Sequence, residues 1–286
     1  MQQPYDCFDH FVQSINAKPE ALLAMFTLYC DDSGTHRKSD VAVAACYVST
    51  VEQWTHCKRN WGEANQRENF GVFHMADFVA KQEQFKGPEW QDQTKRDRTV
   101  HALVNLIKTR AQFGFAAVVE KSAYDDVIVN GEHRQRFGDN HYAFCIRICT
   151  AMVDRWRAQY HHGEPIQYIF DRLSKGKGDI DAMFGILVSG GDAAMKQYGI
   201  YKDCWSFQDK AQVSQLQAAD IWAWENYKYA VGSFFPKQKG APSKPVRKSY
   251  LELRGSPSMV KYHVRESLQE LAKQVSDWKA AGAVHK

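Results

Sequence analysis

The segment Met25-Phe-Thr-Leu-Tyr-Cys-Asp-Asp-Ser-Gly34 joins a strand pattern to a turn. Residues 25–31 are rich in aromatic and other β-favouring side chains, and Asp-Asp-Ser-Gly is a turn signal. Residues 41–48 form a second apolar run of strand length, and Gly34 lies in the short connection between the runs. This spacing predicts an antiparallel hairpin near the start of the fold.

The rest of the chain alternates between helical and strand patterns. Helical periodicity predicts helices at 10–24, 51–65, 92–110, 140–160, 179–198, 214–229 and 260–281. Residues 113–119 and 166–170 have the length and composition of buried strands, and 71–74 are predicted as a short strand or an extended segment. Ser189-Gly-Gly191 is expected to interrupt the helix that contains it.

Strands separated by helices predict an α/β fold, in which helices flank both faces of a mixed β-sheet. No segment of linker character interrupts residues 20–230. We therefore expect one main domain over residues 1–235. Residues 236–286 would add a basic loop and a C-terminal helix that packs on the core.

The composition is that of an ordinary globular protein, with 44% hydrophobic and 24% charged residues among 286. The sequence has neither an apolar run of about 18 residues, as a membrane helix requires, nor an N-terminal signal pattern. We expect a cytoplasmic protein without a membrane partner. The net charge of +4 neither requires nor excludes a polyanion.

Two further features have conservative interpretations. Seven cysteines, an odd number without a Cys-x-x-Cys pair, favour buried free thiols over a disulfide framework or a zinc site. A basic segment near the C-terminus fits a solvated loop better than a phosphate track. Its cations are Lys237, Lys239, Lys244, Arg247 and Lys248.

Three aspartates occupy positions where a lone charge is unusual. Asp31 and Asp171 end predicted strands, and Asp220 lies within a helix. Asp220 shares a largely apolar helix face with Gln217 and Trp224, which are one turn away on either side. An aspartate at a strand end is often a turn former or a helix cap. Asp220 has no such role in mid-helix, and a buried carboxylate needs a partner.

Carboxylates from two strand ends and one packed helix are able to converge on a cation. Oxygen ligands suit Mg²⁺ or Mn²⁺ better than zinc. Such ions activate water and stabilise the leaving oxygen of a phosphodiester. The pattern therefore favours a divalent-metal site that would suit phosphodiester chemistry.

Four motifs resemble a known family, the domain-of-unknown-function family numbered 3800. Tyr29-Cys-Asp-Asp-Ser-Gly34 resembles its opening hydrophobic-Asp-Glu-Ser-Gly motif, and Ile169-Phe-Asp-Arg172 its central strand. Gln217-Ala-Ala-Asp-Ile-Trp-Ala-Trp224 resembles its closing Gln-x-x-Asp helix, and Phe73-His-Met-Ala-Asp77 its Phe-His segment. The resemblance covers residues 25–230, and the closing motif is the most specific.

The resemblance implies a ribonuclease H-like fold with Asp31, Asp171 and Asp220 as metal ligands. By analogy with that fold group, it implies a divalent-metal-dependent nuclease with nucleic acid as its partner. Asp32 stands where the family usually has glutamate, so its shorter side chain reaches less far as a fourth ligand. Glu120 ends a predicted strand where ribonuclease H-like enzymes often place another acid. His74 would serve as a proton shuttle or phosphate contact.

Other interpretations fit less well. Asp32-Ser-Gly-Thr35 matches an aspartic-protease loop, but the sequence has no second copy to share the proton. Ser33 replaces the general acid of haloacid dehalogenase-type phosphatases, which excludes that class. The main alternative is a catalytically silent ribonuclease H-like scaffold that binds nucleic acid or protein. Stacking by exposed Trp54, Trp61 or Trp90 would serve it, although core packing is the expected role of each.

Overall fold

A computed structural model describes residues 26–129, 131–160, 164–172, 176–234 and 245–284. The predicted hairpin is confirmed: Phe26–Ser33 (β1) pairs antiparallel with Val41–Thr50 (β2), with Cys30 opposite Cys46. Phe113–Glu120 (β3) continues the meander as an antiparallel neighbour of β2.

Three strands add to this meander in parallel. Ile166–Asp171 (β4) lies beside β1, and Trp205–Gln208 (β5) lies beside β4. Ser258–His263 (β6) pairs with β3 at the opposite edge. The result is a six-stranded mixed sheet of order β5-β4-β1-β2-β3-β6.

Helices fill the connections. In the described residues they are Val51–Glu68 (α1), Met75–Ala80 (α2), Gln93–Arg110 (α3), Lys121–Val127 (α4), Gly131–Phe137 (α5), His141–Tyr160 (α6), Lys177–Ser189 (α7), Asp192–Tyr198 (α8), Ser214–Ser233 (α9), Lys248–Arg254 (α10) and Arg265–Val284 (α11). Two 3₁₀ turns, Glu83–Lys86 and Pro88–Trp90, lie between α2 and α3.

The sheet is covered on both faces, as predicted for an α/β fold. One apolar core lies between the sheet and α4, α6, α7 and α11. The other lies between the sheet and α1, α2, α3, α9 and α10. Side chains alternate along β1: Leu28 and Cys30 enter the first core and Tyr29 the second. We call the second the α9 face, because α9 crosses β1 and β2 there.

Most predicted elements are confirmed within a few residues, including the break at Ser189-Gly-Gly191, where α7 ends and α8 begins. The prediction of one helix over 260–281 is wrong at its start. Residues 258–263 instead pair with β3, because that edge offers unpaired backbone groups to an alternating segment. Residues 71–74 do not form a strand, and residues 10–24 lie outside the described residues.

The expectation of free thiols is wrong for one pair, because Cys30 and Cys46 face each other across β1 and β2 and form a disulfide. The expectation holds for Cys57, Cys145, Cys149 and Cys204, which are free and buried. Cys7 lies outside the described residues.

The suggested stacking role of three tryptophans is also excluded. Trp54, Trp61 and Trp90 are at most 2% exposed and belong to the α9-face core. Within the described part of the chain, no helix is both long and apolar enough to cross a membrane.

Candidate active site

Asp31 and Asp171 lie side by side at the carboxyl ends of neighbouring parallel strands. Cys30 is paired with Phe170, so the next residue of each strand, Asp31 and Asp171, reaches the same level. Side chains at every second position of a strand lie on the same face of the sheet. Asp31 and Asp171 therefore point to the same face as Tyr29, which is the α9 face. Asp31 is 1% exposed and Asp171 is 9% exposed.

Asp220 approaches the same point from above the sheet. It lies in the second turn of α9, is 3% exposed, and accepts a hydrogen bond of 2.7 Å from the backbone N–H of Met75. Met75 begins α2, so the carboxylate satisfies an N–H group that the helix itself cannot. The predicted apolar helix face thus places Asp220 over the ends of β1 and β4.

Lys210 joins the three carboxylates. Its Nζ lies 2.7 Å from Asp31 Oδ2, 3.1 Å from Asp171 Oδ2 and 3.3 Å from Asp220 Oδ1. We call these four residues the aspartate cluster. The lysine side chain is 20% exposed and comes from the turn between β5 and α9. Sequence reasoning missed Lys210, which belongs to no periodic pattern.

The electrostatics of the cluster show a shortage of positive charge. Burial raises the pKa of Asp31 well above its ordinary value; the charge of Lys210 opposes this shift, and the other carboxylates add to it. Burial lowers the pKa of Lys210, but the three carboxylates outweigh it and raise that pKa, so the ammonium stays charged. Three buried carboxylates share one ammonium, and such an excess favours uptake of a cation or of protons.

His74 is held at the edge of the cluster. Its Nε2 lies 3.3 Å from Asp220 Oδ1, and its Nδ1 lies 2.9 Å from Asp77 Oδ2. A carboxylate on each ring nitrogen fixes the orientation of the imidazole. The side chain is 41% exposed. His74 therefore connects the buried aspartates to solvent, as a proton shuttle requires.

Gln217 fixes the segments that surround the cluster. Its Oε1 accepts hydrogen bonds from Phe73 N–H at 2.9 Å and from Trp61 Nε1–H at 3.0 Å. Its Nε2–H donates to the backbone oxygen of Lys210 at 2.8 Å. One side chain thus holds both the segment before His74 and the turn that carries Lys210. The Gln-x-x-Asp spacing places Gln217 and Asp220 on one helix face. From there both residues bind the segment around His74 and the turn that carries Lys210.

Of the two remaining candidate acids, Asp32 lies close enough to the cluster for its charge to act on Asp31, whereas Glu120 lies apart. Asp32 follows Asp31 directly on the strand, so its side chain points to the opposite face of the sheet. Thr35 donates a hydrogen bond to the Asp32 carboxylate. Burial raises the pKa of Asp32, and the Thr35 hydrogen bond opposes the shift. Glu120 of β3 pairs with Val41 of β2, whereas Asp31 of β1 pairs with Ala45, four residues further along β2. Glu120 is therefore two strands away and roughly 13 Å further along the sheet, outside the cluster.

The donor set of the cluster fits a hard divalent cation in chemistry, since it offers three buried carboxylates with excess negative charge. Across the described ranges, however, no group of three or more His, Cys, Asp or Glu side chains is arranged to hold a metal ion. The reason is visible in the geometry, because an ammonium lies where the carboxylates meet. A metal ion would have to replace Lys210 Nζ.

Comparison with known proteins adds no family. No protein-family model matches the chain, and no curated protein matches it at a significant level.

Proposed function

We propose that the chain is a divalent-metal-dependent nuclease of ribonuclease H-like fold that hydrolyses phosphodiester bonds at the aspartate cluster. The observation that carries this proposal is the convergence of Asp31, Asp171 and Asp220 on the ammonium of Lys210, which all three contact. Purely structural ion pairs rarely bury three carboxylates against one ammonium, because each unpaired charge costs free energy.

The order of the strands supports the ribonuclease H-like part of the proposal. An antiparallel β1-β2-β3 meander is extended on the β1 side by parallel β4 and β5. This is the strand arrangement expected of that fold group. The two strand-borne acids then come from the adjacent strands β1 and β4, and the helix-borne acid comes from α9, which crosses β1 and β2. The step from fold to nuclease remains an analogy.

In the proposed reaction the aspartates, His74 and Lys210 would have separate roles. Asp31, Asp171 and Asp220 would hold Mg²⁺ or Mn²⁺, which when bound supplies an activated water and stabilises charge on the phosphodiester. His74 would transfer a proton at Nε2, with Asp77 keeping its ring oriented. Lys210, once displaced from the carboxylates, would offer its positive charge to a phosphate oxygen.

The second candidate function is the catalytically silent scaffold, and a specific observation favours it. Lys210 already occupies the meeting point of the carboxylates, with its Nζ within 3.3 Å of all three. A scaffold would retain this closed arrangement as a structural ion cluster. The two functions differ in whether a divalent cation is able to displace the ammonium.

Cleavage of labelled single-stranded and duplex RNA, DNA and hybrid, in Mg²⁺, Mn²⁺ or EDTA, tests the proposal. Asp171→Asn and Asp220→Asn remove charge from the cluster, and exposed Asp192→Asn on α8 serves as the matched control. We expect metal-dependent cleavage that both cluster variants lose and the control retains. Absence of cleavage together with absence of Mn²⁺ binding by calorimetry would favour the scaffold. Cleavage that survives both cluster substitutions would reject the site.

A further inference from the structure

A cavity of about 810 Å³ lies between α2, α3 and α10, on the same face of the sheet as the aspartate cluster. Part of its wall is apolar and consists of Phe78, Val79, Val100 and Val104. The rest is rich in cations, contributed by Arg96, Arg98, Arg247 and Lys248. Cavities of this size, with an apolar wall and a few polar groups, are typical of small-ligand sites.

Arg96 is the unusual member of this lining. It is 7% exposed, and neither its Nε nor its Nη1 has a hydrogen-bond partner. Its guanidinium carbon lies 4.3 Å from the centroid of the Phe78 ring. A guanidinium stacked on a ring keeps its N–H donors in its own plane, so an anion would have to approach them from the side of the ring. Burial of such donors without partners is costly, so a ligand that satisfies them gains that free energy.

The other cations of the cavity already have carboxylate partners. Arg98 binds Glu68 through Nη2 at 2.8 Å. Arg247 binds Glu225, with Nε 3.0 Å from Oε2. The Nζ of Lys248 lies 3.8 Å from Glu252. The other three cations are thus paired with carboxylates, whereas Arg96 has two hydrogen-bond donors, Nε and Nη1, without a partner.

A second guanidinium lies near Arg96. Burial lowers the pKa of Arg96; the carboxylate of Asp97 opposes this shift, and the charge of Arg247 adds to it. Two guanidinium groups close enough to repel each other are stabilised by an anion that contacts both. Asp97 itself accepts a hydrogen bond of 2.7 Å from Gln93, so its carboxylate is partly engaged elsewhere.

We propose that this cavity binds a phosphate group, with Arg96 as its central contact and the apolar wall covering the organic part of the ligand. The planar guanidinium fork matches two oxygens of one phosphate. Arg98 and Arg247 are balanced by Glu68 and Glu225, so Arg96 is the cation of the lining whose donors would bind the anion. Val79 and Val100, the half-buried members of the apolar wall, would contact the organic part of the ligand.

The cavity adjoins the aspartate cluster through two helices. On α2, Met75 contacts Asp220, and Phe78 lines the cavity one helical turn later. On α9, Asp220 and Glu225 are separated by about 7 Å of helix rise. The phosphate therefore has two possible sources, a free mononucleotide or the backbone of a bound polynucleotide. The polynucleotide source rests on the proposed function, whereas the mononucleotide source does not.

Calorimetric titration in EDTA tests the site without any contribution from divalent metal. The probes are inorganic phosphate, adenosine monophosphate and a short single-stranded oligonucleotide. We expect Arg96→Met to weaken binding by about 10- to 100-fold, the loss of a charge-assisted hydrogen bond. Arg96→Lys should retain part of the affinity. Arg155→Met is the matched control, since Arg155 is exposed on α6 at the opposite face of the sheet.

Folding is checked by the unfolding temperature without ligand. Arg96→Met should leave it unchanged or raise it, since the substitution removes an unpaired buried charge. Val100→Glu adds a carboxylate to the cavity wall and should weaken binding independently.

The source of the phosphate follows from the probes. Binding of the monophosphate at least as tight as that of the oligonucleotide supports the nucleotide source, and binding of the oligonucleotide alone supports the backbone source. The proposal is overturned if the wild-type chain binds none of the three probes, or if Arg96→Met binds them as the wild type does. Asp171→Asn should bind normally, so failure of the nuclease proposal leaves this result intact.

Discussion

The Nζ of Lys210 lies 2.7 Å from Oδ2 of Asp31, the shortest of its three contacts with the aspartates that surround it. The ammonium thus occupies the place that a bound cation would take. It is a flexible group on a turn with 20% of its side chain exposed, so it has a route out of the site. Competition between Lys210 and a divalent cation is the central physical question for this molecule.

Lys210→Met removes the ammonium and retains the apolar stem. In EDTA we expect the variant to lose about 3–5 kcal/mol in the free energy of unfolding, because three buried carboxylates lose their counter-charge. Mn²⁺ should restore stability, and it should stabilise the variant more than the wild type. Urea unfolding followed by circular dichroism, with and without Mn²⁺, measures both effects. Exposed Lys202→Met is the control, and equal stability of Lys210→Met and wild type in EDTA would contradict the argument.

Gln217→Leu preserves the size of a side chain that makes three hydrogen bonds within the α9-face core. We expect a loss of about 2–4 kcal/mol in the free energy of unfolding, because the buried N–H groups of Phe73 and Trp61 lose their acceptor. The segment carrying His74 should also loosen, which lowers any cleavage rate. Exposed Gln212→Leu is the matched control for urea unfolding, and a change no larger than that of the control would show that water replaces the lost contacts.

The strands and helices that place the three aspartates could be predicted from local patterns. Asp31 and Asp171 end apolar runs, and the helical spacing of Gln217 and Asp220 gives α9 its buried face. Each of these signals is local, because it spans only a few consecutive residues of the chain. Convergence then follows from the general rule that carboxyl ends of parallel strands meet at one edge of a sheet.

Lys210 could not be predicted in the same way, because its position depends on long-range pairing. The turn that carries it follows β5, a four-residue edge strand that is only partly buried and has no strong strand signal. The sequence predicts no strand at β5, and at the other edge strand, Ser258–His263, it predicts a helix from residue 260 onward. The disulfide depends on register alone, since only the pairing of Cys30 with Cys46 brings the two thiols together.

Reduction of the Cys30–Cys46 disulfide opens a cross-link between residues 16 apart in sequence. We expect reductant to lower the free energy of unfolding by roughly 3 kcal/mol, through the entropy that the unfolded chain regains. Urea unfolding with and without dithiothreitol measures the difference. A Cys30→Ala/Cys46→Ala double variant should not respond to the reductant. Equal stability of the oxidised and reduced wild-type chain would mean that the cross-link does not constrain the unfolded state.

His263 should make the protein less stable in mild acid. Burial, reinforced by the charge of Lys261, lowers its pKa from 6.5 to about 4, and neither ring nitrogen has a hydrogen-bond partner. Below the ordinary pKa the unfolded chain takes up a proton that the folded chain does not, so the free energy of unfolding falls as pH drops from about 6.5 to 4. We expect His263→Leu to lessen the loss between pH 7 and pH 5 by up to about 2 kcal/mol. Parallel pH profiles for His263→Leu and the wild type, measured by urea unfolding, would rule out His263 as the source.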